Sequence, residues 1–358
     1  MSQLATFSQI TPVDTARPLP LDGPSNPKAP MTLASSLSTA PPTLSAALAQ
    51  SLAETHFGLS GTLTPLASER DQNFRLTTTK GSYVLKLANA AEPPAVTQFQ
   101  TLALLHLEAT PLPVPRVIRT LSGQTEAATP HGTLRLLTWL EGHPQHLTPR
   151  TPTQCAALGA MAARLTLGLA GFTHPAAAHV LQWDIKQAAT LRPLLPFIAE
   201  NLRPLATETL DRFDRDLAPH LPSLRAQVVH NDLNPHNVLT DRKNPDHITG
   251  ILDFGDMVHT PLICDAAVAA AYQIDPATPR ASLQCFAAAY HALLPLTPLE
   301  ARLLPDLAAT RLLTSLAVAS ARAARFPANA AYILRNFPAA GASLTALANA
   351  PRTALELP

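Results

Sequence analysis

The run Val228-Val229-His230-Asn231-Asp232-Leu233-Asn234-Pro235-His236-Asn237-Val238-Leu239 sets a polar loop between two aliphatic pairs, and sixteen residues after Asn237 the chain reads Asp253-Phe254-Gly255-Asp256. The loop has the spacing H-x-D-x-x-x-x-N and the later carboxylate opens D-F-G, the two signatures that transfer of a γ-phosphoryl group requires. Such a transfer leaves little covalent work for the protein, so its residues must position groups and neutralise charge. Asp232 suits the group that accepts the proton of an attacking hydroxyl or orients it. Asn237 brings a neutral amide oxygen and Asp253 an anionic one, a donor pair that fits Mg²⁺, which takes few protein oxygens and completes its shell with phosphates. His230 is expected beside Asp232 as the residue that orients the loop, and Pro235 fixes φ in its middle. Either half alone reads as ordinary turn chemistry, since Asn, Asp and Pro gather in loops. Both halves in order, each after a strand-like run, point instead to a site. A zinc or iron site from His230, His236, Asp253 and His259 lacks any helical i,i+4 pair and fits less well.

These groups need elements to hold them. Val228-Val229, Val238-Leu239 and Ile248 to Leu252 read as three short strands that present the loop and the Asp253 carboxylate side by side. Upstream, Thr62 to Thr64, Asn73 to Thr78 and Ser82 to Ala88 read as an antiparallel sheet, with Lys80-Gly81 as the turn between the last two. Lys86, inside Tyr83-Val84-Leu85-Lys86-Leu87, points away from its aliphatic neighbours, onto the face expected to cover a nucleotide and hold its α- and β-phosphates. The loop Ala67 to Asn73 contains no glycine, so phosphates there would meet backbone N–H groups with Ser68 or Asn73. A helix over 93–107, opened by Pro93-Pro94, is expected to turn Val96, Phe99, Leu102 and Leu105 or His106 inward. It carries Gln98 and Gln100 where an acid would pair Lys86, and Glu92 and Glu108 stand only at its ends, so that partner is left unassigned. Leu134 to Leu140 is strand-like and runs into Glu141-Gly142-His143-Pro144, the expected connection between two lobes, where Trp139 and Glu141 would flank a purine edge.

Leu44, Leu48 and Leu52 suit a short helix closed by Gly58. From Thr153 the chain reads as helical: 153–169, 183–199, 207–217, then 266–272 with Asp265 as its N-cap, and 281–293, 298–324 and 328–336. The resulting division is a Pro/Ala/Ser/Thr-rich leader over 1–43, an N-lobe over 44–140 and a helical C-lobe over 141–358. The leader holds eight prolines and no sustained period, and Met31 offers an alternative start within it.

With 46% hydrophobic and 14% charged residues the chain reads as globular. Its 26 Lys+Arg against 25 Asp+Glu give a net charge of +1, with no basic face for nucleic acid. Cys155, Cys264 and Cys285 show no metal or redox spacing and read as reduced thiols. No signal segment and no uninterrupted apolar run of membrane-spanning length is evident, so a cytoplasmic protein, monomer or homodimer, is expected.

The segments HNDLNPHNVL, GILDFGDMVHTPLICDAAVAAAY and SERDQNF…YVLKLANAAEPP together resemble the aminoglycoside phosphotransferase/choline kinase superfamily. Within it they are most similar to the branch with hydroxylysine kinase and type II homoserine kinase, over roughly residues 45 to 350. The resemblance implies an α+β, protein-kinase-like two-lobed fold and a Mg²⁺-dependent kinase using ATP or GTP on a small hydroxylated amine. It implies Asp232 as catalytic base, Asn237 and Asp253 as metal ligands, Lys86 as the phosphate-binding lysine, and Asp256 and Asp265 as supporting acids. The absent helix glutamate departs from the superfamily's pattern. An aminoglycoside phosphotransferase and a catalytically weak nucleotide-binding regulator are the alternatives; the first would need an acidic substrate face, for which Asp256, Asp275, Glu300 and Asp306 are the few acids available.

Overall fold

Alternating strands with one apolar face need a helix to cover that face, and the first described helix does so. The computed structural model describes residues 42–358 apart from 69, 352, 353 and 358. The expected leader therefore lies outside the described residues except for its last two positions.

Helix α1 (Ala46–Phe57) is capped by the Ser45 hydroxyl and ends at Gly58, whose φ of 65° is the left-handed value that favours glycine. Its buried residues are Ala49, Ala53 and Phe57. Of the leucines expected to face inward, Leu44 and Leu52 sit at the rim of that contact, because the small alanines let the helix approach the sheet closely.

The sheet consists of β1 (Thr62–Leu66), β2 (Gln72–Thr78), β3 (Gly81–Leu87), β4 (Val117–Ile118), β5 (Ala127–Thr129) and β6 (Gly132–Thr138). The order is β1-β2-β3-β6-β4, with β5 also on β6, and all pairs are antiparallel. Phe74, Leu76, Leu85, Leu87, Leu134 and Leu136 form one face and pack with α1. The register Asn73↔Lys86↔Arg135 runs across three strands, so these polar residues share the other face with Arg75, Val84, Leu137 and Trp139 two positions along.

Helix α2 (Pro94–Leu107) covers the Arg135 end of this second face. Its buried stripe is Val96, Thr97, Phe99, Gln100, Thr101, Ala103, Leu104 and Leu107. Leu102, expected inside, is 36% exposed, because the buried Arg135 guanidinium draws the polar Thr97, Gln100 and Thr101 inward.

After β6 the chain crosses to a second body through β7 (His143–Pro144), which pairs with β9 (Val238–Thr240), itself paired with β10 (Ile248–Ile251). β8 (Ala226–Val229) pairs instead with β11 (Val258–Pro261), the strand after D-F-G-D. The loop 230–237 therefore spans two small sheets. Around them pack α3 (Pro152–Gly168), α4 (Arg203–Arg212), α5 (Leu262–Ala271), α6 (Pro279–His291), α7 (Pro298–Arg325), α8 (Ala330–Ile333) and α9 (Phe337–Asn349). The expected helix over 183–199 is a tight 3-10 run, Ile185–Phe197, since Pro193 and Pro196 remove the N–H donors an α-helix needs. The expected 207–217 helix is α4 followed by a π turn over Phe213–Leu217. α5 starts at Leu262 after Pro261, so Asp265 lies in its first turn rather than at its cap. α9, not expected, opens with a proline in its first turn, where the missing N–H costs nothing. α7 is long and apolar enough to cross a membrane, yet 78% of its apolar window is buried in the protein, as in a core helix.

Candidate active site

The catalytic-type loop is held from beneath before its functional groups face outward. Asn231 sits at a φ of 63°, and its N–H donates to Asp265 Oδ1 at 2.6 Å. Burial pushes the Asp265 carboxyl up to about 6, with the Asn231 bond pulling the other way. His230 is fully buried: Nδ1 accepts the Asp232 N–H at 3.2 Å, Nε2 lies 2.9 Å from the Leu252 carbonyl, and the ring packs edge-on against Phe254. Both ring nitrogens are thus taken by backbone, and burial lowers its pKa. His230 thus links the loop to the residue before D-F-G and to its phenylalanine.

Asp232 is gripped at both oxygens. Oδ2 accepts from Asn234 Nδ2 at 2.9 Å and Asn237 Nδ2 at 2.7 Å, and Oδ1 accepts from Arg311 Nη2 at 2.9 Å. Its side chain is 17% exposed, enough to touch a ligand. Burial and then the charge of Asp256 push its carboxyl up to about 7, against the pull of Arg311. Asn237 spends its side-chain nitrogen on the carbonyl and carboxylate of Asp232, which leaves the amide oxygen facing away from that contact.

Asp253, at a φ of 54°, projects the other way and is 49% exposed. Its Oδ1 lies 3.4 Å from Lys86 Nζ and accepts the Gly255 N–H. The Lys86 charge, outweighing burial, holds this carboxyl well below the usual range. Lys86 in turn lies 3.4 Å from Asp71 Oδ2. Burial alone would lower the lysine, but Asp253 and Asp71 outweigh it and raise its pKa. Asp71 is the partner that sequence reasoning left unassigned. The acid has moved from the helix to the loop before β2, where Ser68 Oγ accepts the Asp71 N–H and Asp71 Oδ1 accepts the Asn89 N–H.

Gln100 takes the helix position instead, donating to Glu92 and accepting from Arg135 Nη2 at 2.9 Å. Arg70, beside Asp71, bridges to Asp256 at 2.7 Å and so ties the glycine-free loop to D-F-G-D. Gly255 permits this: a Cβ there would come within 2.9 Å of Arg70 Nη2 and 3.0 Å of Asp253 Oδ1.

The remaining expected residues sit further out. Asn73 is the cross-strand neighbour of Lys86, with its buried Oδ1 unpaired. Ser68 is engaged in the Asp71 turn. Trp139 lies on the Lys86 face under the Arg75 guanidinium, 4.3 Å from the ring centre, and Glu141 is exposed, 3.9 Å from Arg75. Among the described residues no cluster of three His, Cys, Asp or Glu side chains could hold a metal. The Asn237 amide oxygen and the Asp253 carboxylate are a hard-oxygen pair of the kind that fits Mg²⁺ shared with phosphates. Arg311, missed in the sequence, left one signal: an arginine on the apolar stripe of a core helix, among Leu307, Ala308 and Leu312.

A lysine-bearing antiparallel sheet over a mainly helical body, with this loop and turn between them, defines the protein-kinase-like fold of phosphotransferases that act on hydroxyl groups. A model of the phosphotransferase enzyme family matches residues 62–313, and the chain belongs to that family. It is similar to the hydroxylysine kinase of Mus musculus, 27% identical over 84% of this chain and 88% of that protein. It is also similar to the homoserine kinase of Methylobacillus glycogenes, 29% identical over 64% and 69%. Among solved structures, an amicoumacin kinase bound to AMP-PNP and Ca²⁺ aligns with a TM-score of 0.63 at 16% identity, covering 87% of this chain and 96% of that one. A microcompartment-associated aminopropanol kinase aligns at 0.57 and 19%, covering 84% and 100%. The protein is a small-molecule kinase, drawing its phosphoryl group from a nucleotide.

Proposed function

We propose that the protein transfers the γ-phosphoryl group of ATP or GTP to the hydroxyl of a small amino acid, hydroxylysine-like or homoserine-like. The observation that supports this choice of acceptor is a cavity of about 240 Å³ beside the loop residues Pro235 and His236, close in sequence to Asp232 although Asp232 does not line it. Its lining includes Arg150, Arg335, His146 and His236 and no carboxylate. Such a wall favours an acceptor with an anionic end and disfavours a polycation. Three of the four acids that an aminoglycoside would need are spent on arginines, Glu300 on Arg225, Asp306 on Arg212 and Asp256 on Arg70, and Asp275 accepts from the turn that follows it. The kinase names of the curated relatives support the same class.

In this reading Asp232 orients the acceptor hydroxyl and takes its proton, Lys86 binds the donor's phosphates, and Asn237 Oδ1 with Asp253 holds Mg²⁺. The metal, when bound, neutralises charge on the phosphates. Asn73 and Ser68 lie toward the phosphates, Trp139 and Glu141 toward the base, and Asp256 and Asp265 support the loop.

The test is release of nucleoside diphosphate with Mg²⁺, ATP or GTP, and a panel of 5-hydroxylysine, homoserine, ethanolamine, choline and kanamycin. Turnover with a hydroxy amino acid that vanishes in Asp232→Ala is the expected result. Preference for kanamycin would overturn the acceptor class. Nucleotide binding without any acceptor-dependent release would favour a regulatory role.

A further inference from the structure

We propose that Arg311 is the positioning residue of the phosphoryl-transfer loop: from the middle of α7 it fixes Asp232 relative to the helical body. The proposal rests on the kinase reading above and goes beyond it to a residue outside every motif.

Of the donors on the Asp232 carboxylate, Asn234 and Asn237 belong to the same loop and move with it. Arg311 is anchored elsewhere, and each nitrogen of its guanidinium donates a hydrogen bond. Nη2 donates to Asp232 Oδ1 at 2.9 Å, Nη1 to the Trp183 carbonyl at 2.8 Å, and Nε to the Tyr272 hydroxyl at 3.3 Å. The rings of Trp183 and Tyr272 lie 5.3 and 5.7 Å from its central carbon. A planar fork pinned along three directions cannot swing, so Oδ1 is held in one orientation and its second lone pair stays available to an acceptor hydroxyl.

Net stability is a weak explanation for the pair. Arg311 is 2% exposed inside an Ala/Leu helix, and a buried ion pair replaced as a whole by apolar groups is commonly no less stable, whereas removing Arg311 alone would strand Asp232. A buried guanidinium aimed at the reacting carboxylate is instead what transition-state positioning requires, because small displacements there cost rate.

The experiment uses the full chain, measuring kcat, acceptor KM, nucleotide Kd and thermal midpoint for wild type, Arg311→Ala and Arg311→Lys. Arg311→Ala is expected to lower kcat about 10²-fold while nucleotide Kd and acceptor KM stay within about twofold. Added guanidinium ion should restore much of that loss, as it refills the cavity with the same fork. Arg311→Lys keeps the charge but not the fork and should remain folded with kcat reduced about tenfold; it decides the matter if the alanine variant does not fold. Wild-type kcat in Arg311→Lys, or a rise in acceptor KM at constant kcat, would overturn the proposal. So would a loss of kcat that tracks a collapsed thermal midpoint and ignores guanidinium. Absence of turnover in the wild type itself is a separate result, which strikes the kinase reading before any variant is made.

Discussion

Asp232 and Asp253 carry the same functional group and are driven in opposite directions. At Asp253 the Lys86 ammonium, with Arg70 behind it, overrides burial and keeps the carboxyl ionised. At Asp232 burial and the neighbouring Asp256 charge override Arg311 and bring the carboxyl up to about 7. The contrast is in keeping with the proposed roles: a group held anionic suits a cation, and one raised toward neutrality suits a proton. The supports differ too. The Asp253 end faces Lys86, on a strand of the sheet, whereas the Asp232 end adds to its own loop's Asn234 and Asn237 a guanidinium delivered from a distant helix.

The comparison can be broken first at its lysine. Lys86→Met removes the cation beside Asp253 and should cost about 10² in kcat/KM, chiefly in nucleotide affinity, as steady-state kinetics with varied ATP would read. A wild-type KM would separate Lys86 from the phosphates.

Next comes Asp265, whose carboxyl is pushed up to about 6 by burial. A folded pKa above the unfolded value means stability that is full below about pH 4 and lost as pH rises through about 6, by at most about 3 kcal/mol. Asp265→Asn keeps an acceptor for the Asn231 N–H and lacks this loss. Urea midpoints at pH 4.5 and 7 should therefore show the variant gaining on the wild type at the higher pH; equal shifts would contradict the burial argument.

The smallest effect is expected at Asp71. Asp71→Asn leaves Lys86 with Asp253 alone and should raise nucleotide KM about threefold to tenfold, on the order of 1 kcal/mol. Gln100→Glu should not compensate. It sets a second carboxylate against Glu92, 3.1 Å from the present amide, and should lower the thermal midpoint instead.

What could be read in the sequence was whatever local spacing dictates. Alternation marks β2, β3 and β6 and puts Lys86 opposite its aliphatic neighbours, and the five-residue separation of Asp232 and Asn237 allows one amide to reach one carboxylate. What could not be read was pairing across long separations. The bridge from Arg70 to Asp256 spans 186 residues and that from Arg311 to Asp232 spans 79; nothing in either segment alone names its partner. Asp71 was hidden because a loop without glycine offered no motif. The partner of β8 was hidden as well, since short apolar runs carry no information on which neighbour completes them.

The most direct measurement of the division between the two carboxylates is calorimetric titration of nucleotide, with and without Mg²⁺, into Asp232→Asn and Asp253→Asn, beside turnover of each. Asp232→Asn should bind the nucleotide with wild-type metal dependence and turn over at least about 10³-fold more slowly, while Asp253→Asn should lose the metal-dependent part of binding. Undiminished Mg²⁺ dependence in Asp253→Asn, with the loss appearing in Asp232→Asn, would contradict the assignment of both residues.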